Sequence, residues 1–199
     1  MAKKKEKNAV EVNVKELKDA ELVVLTLQDD SEEFFEELIE RYERKLLRYV
    51  MRISYFDFAE AEDILQEVFL KVYHNLNEFD DEFAFSSWIY RITRNFVISQ
   101  VRKNKSRPNV VRIDDEFAES LIERLPSEID LPRDFVRKEL KERVRSALAK
   151  LPEKYREVLV LYYLEEQSYA EISDILKRSV NSVSVQINRA KKKLRGMLT

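Results

Sequence analysis

Apolar residues recur three and four positions apart through most of the chain, the spacing of helices with one buried face. A loose version runs from Val14 to Leu27 through Val14, Leu17, Leu22 and Leu25. A long, regular one follows in Phe34, Phe35, Leu38, Ile39, Tyr42, Leu46, Leu47, Tyr49, Val50 and Ile53, and Asp30 with Glu33 has capping-box spacing just ahead of it. A third helix is predicted from about Ala59 to Leu76, with Ile64, Leu65, Val68, Phe69, Val72, Tyr73 and Leu76 inward. The fourth starts at Ser86 or Ser87 and runs to about Lys103 on Trp88, Ile89, Ile92, Phe96, Val97 and Val101. Four helices with short connections predict a bundle over residues 14–105, preceded by a disordered, lysine-rich tail at 1–13.

Periodicity fades between Asn104 and Pro132, where three of the four prolines fall and the stretch from Asp114 to Asp130 is acidic. Residues 106–132 therefore read as a linker, with a short helix around Glu116 to Leu125 as its one candidate element. From Arg133 the pattern resumes in Phe135, Leu140, Val144 and Leu148. Pro152 suits the first position of a further helix whose inward residues include Tyr155, Val158, Leu159, Leu161, Tyr162 and Leu164. Ser168 and Glu171 form a capping box that opens a helix over Tyr169–Leu176. After a break of about three residues, Ser179 caps a last helix with Val180, Val183, Ile187 and Ala190 inward. The expected fold is all-α: two small helical domains, at 14–105 and 133–199, joined by a flexible acidic linker.

Composition narrows the chemistry. A single glycine, Gly196, cannot supply the left-handed turns of a sheet-rich fold or the close backbone approach of a phosphate-cradling loop. With no cysteine and one histidine there is no zinc cluster, disulfide framework or thiol nucleophile; no metal or cofactor is expected, and a reducing, cytoplasmic setting suits the chain. The longest apolar run, Val158 to Leu164, is far short of the ~20 residues of a membrane span. His74 is predicted on the solvent side of the third helix with no nucleophile or metal partner, so no catalytic role is assigned.

The net charge of −2 hides blocks. Residues 31–85 hold fifteen acids against six bases, whereas residues 86–112 hold seven bases and no acid. Residues 113–142 return to ten acids against five bases, and 143–199 carry twelve bases against six acids. Two basic blocks set apart by acidic ones fit a protein with two separate polyanion contacts.

The chemistry of each basic block is distinct. At the C-terminal end, two short helices joined by a tight turn lead into Lys191, Lys192 and Lys193, and the second helix is lined outward by Asn181, Ser182, Ser184, Gln186, Asn188 and Arg189. Amides and hydroxyls bond base edges while lysines neutralise phosphates, which is the helix-turn-helix arrangement. An ordinary helical hairpin with a solvated polar face fits the same residues. In the fourth helix, Trp88, Tyr90 and Phe96 are interleaved with Arg91, Arg94, Asn95, Gln100, Arg102, Lys103 and Lys105, a mixture suited to stacking and backbone tracking on single-stranded DNA. Trp88 shares a stripe with Ile92 and Phe96 and reads first as core.

Three segments carry a resemblance. Residues 61–73 (AEDILQEVFLKVY), residues 85–95 (FSSWIYRITRN), and residues 151–158 (LPEKYREV) followed by 168–172 (SYAEI) resemble, in order and separation, bacterial RNA polymerase sigma factors of the extracytoplasmic-function (ECF) group of the sigma-70 family. The resemblance covers the chain from about Asp19 onward. It implies sigma domain 2, a linker and sigma domain 4, with the third domain missing. It further implies that Asp63, Gln66, Glu67 and Leu70 dock on the clamp helices of the polymerase's largest catalytic subunit, and that the C-terminal domain meets the flap of the second-largest.

Within the same resemblance, Arg91, Arg94, Asn95, Gln100, Arg102 and Lys103 would recognise and melt the −10 element, with the loop before that helix holding a flipped base. Ser179, Asn181, Ser182, Ser184, Gln186, Asn188, Arg189 and Lys192 would read the −35 element. An anti-sigma factor is a further implied partner. Lys177 and Asn181 stand where the family usually has glycines, and Ser184 and Gln186 where it is often basic, so the turn and the preferred −35 sequence are expected to differ. The competing readings are a stand-alone helix-turn-helix regulator, with a dimerisation or effector domain in place of the segment from Asp63 to Tyr73, and a helical scaffold, which leaves the acid-free block unexplained.

Overall fold

The computed structural model describes residues 13–29, 32–103, 113–124 and 137–198, and among them every regular element is helical. After a single 3₁₀ turn at Val14–Glu16 come α1 (Asp19–Asp29), α2 (Glu32–Ile53), α3 (Phe58–His74) and, past a second 3₁₀ turn at Leu76–Glu78, α4 (Phe85–Lys103). The second half holds α5 (Asp115–Arg124), α6 (Arg137–Lys150), α7 (Glu153–Tyr163), α8 (Tyr169–Leu176) and α9 (Val180–Leu198).

Local chemistry explains the element ends. Asp57 accepts from the Glu60 amide while Glu60 accepts from the Asp57 amide, a capping box that starts α3 one residue before the expected position. Asp30 lies outside the described residues, so the capping box anticipated for α2 is not seen. Pro152 sits just ahead of α7 rather than inside it, a one-residue shift at a helix end. Ser168 and Glu171 cap α8 reciprocally, as the sequence predicts.

Leu38, Tyr42, Leu46, Tyr49 and Val50 of α2 form the spine of the N-terminal half, against Ile64, Leu65, Val68 and Val72 of α3 and Ile89 and Val97 of α4. Arg41 and Tyr42 hold α1 to α2, the guanidinium donating to Leu17 O and Asp19 at 2.8 Å and the phenol to Asp19 at 2.5 Å. Tyr73, expected inward, is 43% exposed and rests only an edge on Phe35.

Within the stretch read as a linker, α5 packs Phe117, Ala118 and Leu121 at 0% exposure against α6 and α7. The two halves also meet: α2 packs on α7 and α4 on α8.

Candidate nucleic-acid and protein interfaces

On α3 the buried stripe Ile64, Leu65, Val68, Phe69 and Val72 fixes the opposite face by helical geometry. Asp63, Gln66, Glu67 and Leu70 all emerge on that face, exposed, and Leu70 is 57% exposed amid the carboxylates. Exposed Tyr73 extends the same surface by one turn. The sequence hides it because its spacing also fits the inward stripe.

On α4 the aromatic residues are held by packing, and Trp88 and Phe96 also line the groove described next. Trp88 is buried against Phe79 and Phe85, with ring centroids 5.7 and 5.6 Å away. Tyr90 is 1% exposed, and its hydroxyl donates to Glu165 of the other half. Phe96 remains half-buried beneath the Lys71 ammonium, 5.7 Å from its ring.

Beside this ring cluster Arg91, Asn95, Gln100 and Lys103 line a groove of about 520 Å³, together with Lys71 and Asn75 from the end of α3. Arg102 and Lys103 are exposed at the end of α4; Lys105 lies outside the described residues. Arg94 is placed differently. Its Nε and Nη2 form a fork on the two carboxylate oxygens of Glu157 in α7, at 2.7 and 3.1 Å, and only 21% of its side chain is exposed.

The α8–α9 pair is held by a turn in which Lys177 adopts φ 52° and ψ 52°, the left-handed conformation for which glycine is the usual residue. Its cost is offset locally: the Arg178 amide donates to Ser173 O at 3.1 Å and the Ser173 hydroxyl to Arg178 O at 2.6 Å. The lysine thus preserves the turn expected to deviate.

On α9, Asn181, Ser182, Asn188, Arg189 and Lys192 are exposed and Ser184 is half-buried. Ser179 accepts from the Ser182 amide at 3.3 Å and pairs with its hydroxyl at 2.8 Å, so Ser179 caps the helix and the Ser182 hydroxyl steadies the cap. Gln186 departs from the outward reading. It is 9% exposed, accepts from Arg178 and donates to Lys154 O at 2.5 Å, tying α7, the turn and α9 together.

Val180, read as inward, is 45% exposed, and so is Val185 at 48%. Val185 lies with Lys154, Arg178, Asn181, Ser182 and Arg189 around a groove of about 460 Å³. Its methyls suit the thymine methyl in a major groove. Lys154 and Arg178 belong to other elements, which is why the pattern along α9 alone does not reveal them. Lys191 is drawn onto Tyr162 and Tyr163, 5.6 Å from each ring, leaving Lys192 and Lys193 as the exposed members of the run.

Burial shapes the charges between the halves. It pushes the Glu165 carboxyl above the usual range although Tyr90 and Arg52 pull the other way, and with the Glu157 charge it raises the Tyr49 phenol well above its ordinary value. Among the described residues no cluster of three or more His, Cys, Asp or Glu has an arrangement for a metal ion, and no helix is long and apolar enough to cross a membrane.

Comparison with known proteins bears on both halves. Residues 38–107 match the family described as Sigma-70 region 2, and residues 141–194 match Sigma-70, region 4. The chain is 36% identical over 169 residues to the ECF RNA polymerase sigma factor SigW of Bacillus subtilis (strain 168), spanning 82% of this chain and 88% of that protein. To the ECF RNA polymerase sigma-E factor of Escherichia coli (strain K12) it is 31% identical over 176 residues, 86% of this chain and 90% of the other.

Of solved structures, CnrH in complex with the cytosolic domain of CnrY aligns with a TM-score of 0.63 at 25% identity over 90% of this chain and 96% of that one. RpoE of Bartonella quintana, solved with the anti-sigma factor NepR, shares the fold with a TM-score of 0.59 at 19% identity, over 84% and 98%. Region 2 occupies the place where a stand-alone regulator would carry its dimerisation or effector domain. With a polar face on α3, a basic groove on α4 and a helix-turn-helix at α8–α9, the chain belongs to the ECF group of RNA polymerase sigma factors, which direct transcription initiation to promoters.

Proposed function

We propose that this sigma factor docks on core polymerase through the α3 face of Asp63, Gln66, Glu67 and Leu70, and reads promoters with two separate surfaces. Domain 2, at 14–105, takes the −10 element along the α4 groove, with Arg91, Asn95, Gln100, Arg102 and Lys103 following the strand and Arg94 joining them once released from Glu157. Domain 4, at 133–199, takes the −35 element on α9 through Asn181, Ser182, Ser184, Asn188 and Arg189. Ser179 sets the start of that helix, Lys192 meets the backbone and the flap of the second-largest subunit holds the domain. The observation that carries the reading is the coexistence of an exposed Leu70 among carboxylates with two basic grooves on different helices. A docking surface of that polar kind favours a partner that is later released.

The protein works in the cytoplasm as a non-catalytic subunit. It is held inactive by an anti-sigma protein, a partner suggested by the complex of the sigma factor RpoE with the anti-sigma factor NepR.

Run-off transcription on a genomic fragment library with purified core enzyme tests the assignment: added protein should give defined transcripts, and no gain in initiation overturns it. In a pull-down with core enzyme Asp63→Ala with Gln66→Ala should weaken core binding about tenfold, equivalent to about 1.4 kcal/mol, while free-protein helicity is unchanged. Unaltered core affinity would remove α3 as the docking face.

A further inference from the structure

Val185 is out of character with its surroundings on α9. The helix buries Val183, Ile187, Ala190, Leu194 and Leu198, so its core stripe is complete without this residue. Val185 is instead 48% exposed. By helical spacing it lies between Asn181 and Ser182 one turn before it and Asn188 and Arg189 one turn after, all of them polar and exposed. A β-branched side chain in that position is a poorer helix former than a straight-chain polar one and gains no packing in return.

A lone apolar residue on a surface is ordinary; this one lines a cationic groove. Lys154 from α7, Arg178 from the turn and Arg189 from α9 stand around it, charges of the kind that hold a duplex backbone against a helix. The adjacent amide is not free to bond a base edge, because Gln186 is taken up by Lys154 O and by Arg178. The middle of the polar face therefore presents methyl groups. In a major groove the base edges offer donors, acceptors and a single apolar group, the C5-methyl of thymine. Against a purine edge or the amino group of cytosine, a valine would strip water from polar atoms and return no hydrogen bond. Against thymine it covers one methyl with another.

We propose that Val185 is a specificity-determining residue of this chain: its methyl groups pack on the C5-methyl of one thymine in the −35 element and disfavour any other base at that position. The inference rests on the promoter-reading assignment above and adds the chemical group that is read.

The test uses holoenzyme assembled from core polymerase and the full-length chain, on a promoter fragment obtained by run-off selection. Each thymine of its −35 element, on either strand, is replaced singly by deoxyuridine, which removes the methyl and keeps every hydrogen bond. At one position the replacement should weaken binding about three- to fivefold, the effect of uncovering one methyl group. Val185→Ala, at an exposed site, should fold as the parent does, lose the same three- to fivefold on the thymine fragment and lose nothing further on the deoxyuridine fragment. Such non-additivity marks a direct contact. Val185→Thr, which keeps the β-branch and one methyl, should fall between parent and alanine variant. The salt dependence of binding should be the same for all three, since no phosphate contact changes.

A deoxyuridine effect of equal size in parent and Val185→Ala, an element with no methyl-sensitive position, or a selected element with no fixed thymine overturns the inference and leaves promoter reading intact. Parent holoenzyme that selects no fragment fails the promoter-reading assignment itself, and the inference with it.

Discussion

Single residues in this molecule hold conformations and charges that their neighbours compensate. Lys177 adopts the left-handed turn between α8 and α9 at a cost of about 1–2 kcal/mol for a residue with a Cβ. Lys177→Gly should remove that strain but add unfolded-chain entropy, giving a net gain of about 0.5–1 kcal/mol in urea denaturation; a loss would mean that the lysine side chain stabilises the turn in some other way.

Glu165 illustrates the reverse situation, a charge that burial disfavours. Its folded pKa lies above the ordinary 4.5, so its contribution to stability is fully present below the unfolded value and is lost as pH rises through the folded one. Glu165→Gln stays neutral and retains an acceptor for Tyr90. The melting temperature of the variant relative to the parent should therefore rise as pH is raised from below the ordinary carboxylate range to above it. A difference that is flat with pH would place Glu165 in a more hydrated setting.

Among the elements, α5 shows most clearly what pattern reading resolves. Its ten residues were legible as a short helix within an acidic stretch, but their packing was not, because Phe117 and Leu121 alone give too few repeats to define a buried face. The structure seals Phe117 completely. Phe117→Ala should destabilise the C-terminal half by about 3–4 kcal/mol, measured by thermal unfolding; a loss below about 1 kcal/mol would mean that α5 is only loosely docked.

The long helices were readable for the opposite reason, since α2, α3 and α4 repeat their apolar stripe over four or more turns. The polar face of α3 follows from that stripe by geometry. Pattern fails where one residue satisfies two spacings, as with Tyr73, or where a polar side chain is recruited inward by a partner far along the chain, as with Gln186 and Arg94. The charged residues embedded in apolar stretches, Arg52 beside Ile53 and Glu157 before Val158, were the available signal for the contact between the halves. Their partners lie 62 to 113 residues away, a separation that periodicity does not encode.

For the whole molecule, the two halves bear different loads. The buried apolar residues of both halves join in one continuous cluster, and the contact between the halves adds buried charge to it at Arg52, Glu157 and Glu165. The Gln186 strut sets the behaviour of the −35 head within this arrangement. Because it fastens α7, the turn and α9 to one another before any DNA arrives, the head meets its target as a pre-cast die. Little ordering entropy is then left to spend at contact, and changes at Gln186 should blunt the shape of the die instead of rewriting which bases it favours.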